Sequence, residues 1–201
     1  MNKEEEILKA AETEFLEKGF AASRTVEIAR RAGVTHAMLH YYFQTKENLF
    51  NRVLSQKVAS FALVLTSTIR DDAPLLEVVV DFVSKHFELM SQNPNLPRFM
   101  INEVMSSEEG SRMCKEIIAP RFKMFMEKMG KILQREVAAG NIRYISVPDF
   151  FFNVVAINAM TFVARPIILI MFNGDEAATD LFIQHRKQEN VELILSRIRP
   201  S

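Results

Sequence analysis

The segment from Arg24 to Leu49, RTVEIARRAGVTHAMLHYYFQTKENL, holds the side chains with the clearest chemical purpose. Arg24, Thr25, Thr35, His36, Ala37, His40, Tyr41, Tyr42 and Lys46 bring hydroxyl, imidazole, phenol and cationic groups into one short span. Such groups donate and accept hydrogen bonds, and no nucleophile motif stands among them, so the chemistry is recognition of a polar surface. Helical spacing sends Val34, Met38, Leu39, Tyr42 and Phe43 toward a core and leaves His36, Ala37, His40 and Tyr41 outward or lateral. A short, buttressed helix with an exposed polar and aromatic face is a shape that the major groove of DNA accepts.

Placing that face takes two short helices and a tight turn. Thr25 can cap the first helix, with Val26, Ile28 and Ala29 apolar and Glu27 near its positive end. Gly33 sits where the turn must pass, Thr35 is a second cap, and a third helix starts at Lys46. Upstream, residues 3–18 carry Ile7, Leu8, Ala11, Phe15 and Leu16 at helical spacing, and Gly19 stops that helix. This unit of about 45 residues would be marginal alone. Its relief is the helix from Lys46, which runs without Pro or Gly to Pro74 and so links it to the remainder.

Formal charge is zero, with 25 basic and 25 acidic residues, so bulk composition does not argue for nucleic acid. Distribution does. Residues 1–23 have a net charge of −3, from three Lys against six Glu, while residues 24–57 have a net of +4, from six basic and two acidic residues. The single cysteine, Cys114, forbids an intramolecular disulfide and suits the reducing cytoplasm, where it is expected as a buried or half-buried helix residue. The charged, amphipathic N-terminus lacks the apolar run of a signal peptide. No Gly-rich phosphate loop is present, and His36, His40, His86 and His185 lack metal-ligand spacing, since the i,i+4 pair of His36 and His40 has no third ligand. The chain is therefore expected to be no enzyme and to need no cofactor or metal.

Beyond Lys46 the pattern stays helical, with no strand and no repeat. Asp71-Asp72-Ala73-Pro74 marks a turn, and helices follow over 74–91 and 98–106. A longer helix over 111–139 has Pro120 inside it, which demands a kink or two abutting helices. Ser146 to Asp149 has capping-box spacing and opens the most apolar stretch, 150–172, which Pro166 should kink. Asn153, Asn158, Thr161 and Arg165 interrupt that stretch, so a subunit interface explains it better than a membrane span. Asn173 to Glu176 matches a second capping box before a helix over 176–198. The chain reads as all-α, with about nine helices.

The segment Thr25, Ile28-Ala29, Ala32-Gly33-Val34, Thr35, Leu39-His40-Tyr41-Tyr42-Phe43 and Lys46-Glu47-Asn48-Leu49 resembles the DNA-binding signature of the tetracycline-repressor family of bacterial transcription regulators. The family's commonest wording has Tyr then His where this chain has His40 then Tyr41. The resemblance implies a helix-turn-helix DNA-binding domain over 1–45 and a helical ligand-binding and dimerisation domain over 46–201. It implies a homodimer joined through helices at about 148–172 and 176–198, bound to an inverted-repeat operator in double-stranded DNA and released by a small-molecule effector. With the family pattern laid over the chemistry, Thr35 and Lys46 would hold phosphates, and His36, Ala37 and His40 would meet base edges. Tyr41 and Tyr42 would donate to phosphates, and Thr25 with Arg24 would anchor the far side. Candidates for the effector pocket are Phe82, His86, Phe99, Met100, Glu103, Met124, Phe125, Asn158, Phe162 and Arg165, large apolar groups with a few polar ones among them. They favour a lipophilic or planar aromatic ligand. An activator of the same fold, or a helical interaction protein that does not bind DNA, remains an alternative reading.

Overall fold

Asn2 accepts from the Glu5 amide while the Glu5 side chain accepts from the Asn2 amide, a capping box that opens helix α1 (Lys3–Ala22). The computed structural model describes residues 2–70 and 73–200, so Asp71 and Asp72 of the expected turn lie outside the described residues. Ile7, Leu8, Ala11 and Phe15 are buried. At Gly19 the backbone turns to φ +74°, which interrupts the helical path where the sequence places a stop, although a further turn follows to Ala22.

Helices α2 (Thr25–Arg31) and α3 (His36–Phe43) meet across Gly33, at φ +62°. Thr35 caps α3 by accepting from the Met38 amide at 3.2 Å, and Thr45 caps α4 (Lys46–Ser67) by accepting from Asn48 at 3.0 Å. Three expectations need correction. Thr25 does not cap α2, because the N-cap is Arg24 and it makes no side-chain cap bond. Val26 is 64% exposed, since Ile28 and Ala29 occupy the inward face of so short a helix. Tyr42 also lies at the surface, leaving Leu39 and Phe43 as the buried anchors of α3.

The body comprises α5 (Leu75–Gln92), α6 (Leu96–Phe99), α7 (Glu108–Met113), α8 (Ala119–Ala138), α9 (Val147–Val163), α10 (Arg165–Met171) and α11 (Glu176–Ile198). Two π-helical segments, Met100–Met105 and Cys114–Ile118, continue α6 and α7. No strand occurs among the described residues. The nine expected helical stretches all form, and two of them are divided near a proline. Pro120 falls in the first turn of α8, where its missing N–H costs little, and the wider π turn precedes it. Pro166 likewise follows the break at Ala164, where α9 and α10 bend by 60°. Ser146 caps α9 by accepting from Asp149 at 3.1 Å. The cap of α11 is Asp175, accepting from Ala178 at 3.0 Å, and not Asn173. Asn173 takes φ +53° beside Gly174 at +83°, a left-handed turn that carries it away from the helix start.

Two apolar cores fill the chain. One joins Ile7, Phe15, Leu39 and Leu49 to Phe87, Leu96, Phe99, Val104 and Ile168, so the N-terminal helices share their interior with the adjoining half of the body. The other gathers Val64, Phe82, Phe125, Phe150 and Ile194 in the far half. Helices α5, α9 and α11 run through both. At the crossing level each carries a buried polar residue: His86, Asn158 and Asn190.

Candidate nucleic-acid interface and effector site

The first site is the outer face of α2 and α3. Thr25 Oγ1 lies 2.9 Å from His36 Nε2, joining the two helices across the turn. The His36 and His40 rings meet edge to face with centroids 4.7 Å apart, and Tyr41 and Tyr42 do the same at 5.4 Å. Tyr41 is 82% exposed, Tyr42 41%, and Ala37 lies open on the same helix. Lys46 Nζ stands 4.5 Å over the Phe20 ring and 3.5 Å from the Ala21 carbonyl, so its stem is packed and its charge sits at the edge of the face. Arg24 is exposed beside Thr25. The nine residues singled out from the sequence are thus gathered on α3 and at the starts of α2 and α4.

The local positive surplus is smaller than the residue count suggests. Arg30 pairs with Glu27, and Arg31 reaches Glu17 at 2.9 Å and the fully buried Glu14 at 3.2 Å. The Arg30 hydrogen bond holds the Glu27 carboxyl below its usual range, and the Glu17 bond raises Arg31. Arg31 thus braces α1 against α2, while the Arg30 pair stays within α2. What remains on the outer face is mostly uncharged hydrogen-bonding chemistry, suited to base edges and phosphate oxygens.

The second site is an aromatic cluster in the far half of the body. The Phe82 ring lies 5.1 Å from Phe125, 5.8 Å from Phe150 and 6.3 Å from Phe151, and Phe122 meets Phe151 at 4.9 Å. At its edge, Asn158 Nδ2 donates to the Val83 carbonyl at 2.9 Å and lies 3.2 Å from His86 Nδ1. That geometry assigns Nδ1 as acceptor and puts the imidazole proton on Nε2. Burial pushes the His86 pKa down to about 4, so the ring is neutral. Asn190 donates to Asn158 Oδ1 at 2.8 Å, and Arg186 donates to Asn190 Oδ1 at 2.5 Å. The chain of polar groups therefore runs from the half-buried Arg186 on α11 to the ring of His86.

Of the ten pocket candidates, the structure gathers Phe82, His86, Phe125 and Asn158 at this cluster. Phe99 belongs to the other core, 5.9 Å from the Phe50 ring, and Phe162 packs on Phe87 at 5.1 Å in that same core. Met100 packs against that core too. Glu103 is turned to α1 by the π segment and accepts from the Phe20 amide at 3.1 Å. Met124 is 43% exposed, because Phe125, Met129, Ile132 and Leu133 define the inward face of α8. Arg165, at the start of α10 beyond the bend, donates to Glu176 at 2.5 Å and to Asp180 at 2.9 Å, on the outside of the bundle. The sequence reading missed Asn190, Phe122, Phe150 and Phe151. Asn190 was detectable as a polar residue on the α11 stripe between Ile183 and Ile194, and Phe122 as the neighbour of Phe125 on amphipathic α8, whereas Phe150 and Phe151 were hidden in an apolar run without periodicity.

Helices α9, α10 and α11 expose Phe152, Met160, Ile170, Met171, Leu181 and Leu193, with Ile170 75% exposed. Large apolar side chains exposed on neighbouring helices are the kind of surface that protein–protein contacts use. No single helix among the described residues is long and apolar enough to cross a membrane. Nor does any group of three or more His, Cys, Asp or Glu among them stand close enough to hold a metal ion.

Comparison with known proteins bears on both sites. The family signature described as "Bacterial regulatory proteins, tetR family" matches residues 7–53, and "Tetracyclin repressor-like, C-terminal domain" matches residues 76–194. The HTH-type transcriptional repressor BdcR of Escherichia coli is 31% identical over 105 residues, covering 52% of this chain and about half, 53%, of that protein. The fatty acid metabolism regulator protein of Bacillus subtilis is 27% identical over 139 residues, 69% of this chain and 70% of that one. The structure of FadR from Bacillus subtilis in complex with stearoyl-CoA shares the fold with a TM-score of 0.64 at 22% identity, covering 98% and 100% of the two chains. A transcriptional regulator from Streptomyces coelicolor does so with 0.65 at 20%, covering 99% and 100%. With the C-terminal signature alone spanning more than half its length, the chain belongs to the tetR family of bacterial regulatory proteins.

Proposed function

We propose that the protein is a homodimeric transcriptional repressor that binds an inverted-repeat operator and is released by a lipophilic or aromatic small molecule. The observation that carries this reading is the outer face of α3, where Ala37, His40 and Tyr41 stand exposed on a helix anchored by Leu39 and Phe43. His36, His40 and Ala37 meet base edges, while Thr35, Tyr41, Tyr42, Lys46, Arg24 and Thr25 hold the duplex backbone. The uncovered apolar face of α9, α10 and α11 supports pairing of two copies, which sets two recognition helices against two half-sites.

The aromatic cluster around Phe82, with His86 and Asn158 at its rim, is the proposed effector site. Effector entering among these rings displaces the end of α4 and with it the separation of the heads. The ligand need only favour one separation over the other. Because a Bacillus subtilis relative is a fatty acid metabolism regulator, a long-chain acyl thioester is the first probe to try. The test is selection of DNA from a random pool, followed by gel-shift titration across salt and with stearoyl-CoA. Enrichment of a palindrome whose affinity falls steeply as salt rises is the expected result. A pool that enriches nothing, or a chain that stays monomeric at micromolar concentration, overturns the reading.

A further inference from the structure

The break in α1 exposes a backbone group that the body takes up. With Gly19 at φ +74° the helix path is lost, and the Phe20 N–H donates instead to Glu103 on the π-helical segment Met100–Met105. A Cβ at position 19 would lie 2.7 Å from Glu103 Oε1, so the carboxylate rests directly on the glycine. A second fastening involves Lys57 of α4, which is buried. Its Nζ lies 2.5 Å from Glu12 Oε1 on α1 and 3.1 Å from Asn93 Oδ1 at the end of α5. A buried ammonium needs both partners, since losing either leaves charge in an apolar surround. Between the two fastenings the rings of Phe15, Phe20, Phe50 and Phe99 form one cluster of contacts, with neighbouring centroids 4.8 to 6.4 Å apart.

We propose that Glu103 and Lys57 are positioning residues for operator binding: they tie α1 to the π segment and to the end of α5, so that head and adjoining half-body turn as one piece. The inference rests on the dimeric operator-binding reading above. Under it, the joint that changes head separation is not the start of α4 but the level of His86, Asn158 and Asn190, where the two apolar cores part.

The test uses the full chain with Glu103→Ala, Glu103→Gln and Lys57→Met, the glutamine keeping an oxygen that can accept from Phe20. Spin labels at Lys9→Cys and Lys115→Cys, in a Cys114→Ser background diluted with unlabelled protein, report the attitude of the head on the adjoining half of the body. Broadened or shifted distances are expected for Glu103→Ala and Lys57→Met, with wild-type distances for Glu103→Gln. On DNA selected by the wild type, Glu103→Ala should keep its affinity for a single half-site and lose about tenfold on the complete operator, because only the two-headed engagement depends on attitude. Unchanged distances in both Glu103→Ala and Lys57→Met overturn the proposal whatever the DNA result. Equal losses on half-site and complete operator also overturn it, since they mark general damage to the head. Failure of the wild type to select any DNA strikes the operator reading alone, while the distances still decide the clamp.

Discussion

Thr25 Oγ1 and His36 Nε2 lie 2.9 Å apart, so the first residue of α2 holds the first side chain of α3. On the proposed reading that ring nitrogen is engaged before DNA arrives, and His36 would meet the duplex in one orientation.

Thr25→Val, which keeps the shape and loses the hydroxyl, should weaken operator binding by about fivefold, near 1 kcal/mol. His36→Ala should cost a similar amount, and the double variant little more than either, since the two act as one unit. A double-mutant cycle by gel shift checks this, and full additivity would mean that the Thr25–His36 contact has no part in recognition.

His86 should make the fold sensitive to acid. Its pKa is about 4 in the folded chain, because burial disfavours the imidazolium, against an ordinary value near 6.5. The unfolded chain therefore binds the proton first as pH falls. Stability contributed by the neutral ring is complete above about pH 6.5, declines between there and about 4, and levels off below, by up to about 3 kcal/mol. Urea titrations at pH 7 and 4.5 on the wild type and His86→Gln isolate this part, and the variant should lose the excess slope.

Asn158 satisfies three groups at once, the Val83 carbonyl, His86 Nδ1 and the Asn190 amide. Asn158→Leu leaves His86 Nδ1 and the Asn190 amide without a partner inside the bundle, while the Val83 carbonyl keeps its intrahelical bond, and should cost about 2–4 kcal/mol. The drop in urea midpoint at unchanged m-value measures it, and a loss below about 1 kcal/mol would show that the neighbours find other partners.

The apolar face of the C-terminal helices gives a fourth expectation. Ile170→Glu places a charge where a second copy should pack and should yield a monomer by sedimentation at micromolar concentration. Operator affinity should then fall about 100-fold while single half-site binding persists, because linkage of the two heads supplies the difference. A variant that remains dimeric relocates the interface.

Much of the head was legible because its signals are local. Thr35 caps the helix it precedes, Gly33 takes the positive φ its turn requires, and Leu39 and Phe43 point inward as their spacing demands. Thr25 misled because a threonine at a helix start has two possible partners, and the nearby His36 won over the backbone. The body was legible as helices but not as a site. Met100 to Met105 adopts a π turn that rotates Glu103 toward α1, a shift that no periodicity of 3.6 residues foretells. Arg165 lies beyond a 60° bend, so its direction depends on the angle and not on its spacing from Asn158. Asn190 and Lys57 owe their importance to partners 32 and 36 residues away, a distance at which local pattern carries no information.

The polar level through His86, Asn158 and Asn190 also divides the chain for folding and fluctuation. Each side of it has its own apolar interior, so each can open to solvent as a separate cooperative unit. On the proposed effector reading, the half bearing α8 would loosen transiently to admit a bulky guest while the half that grips the N-terminal helices stays shut, and admission would then leave the face of α3 itself undisturbed.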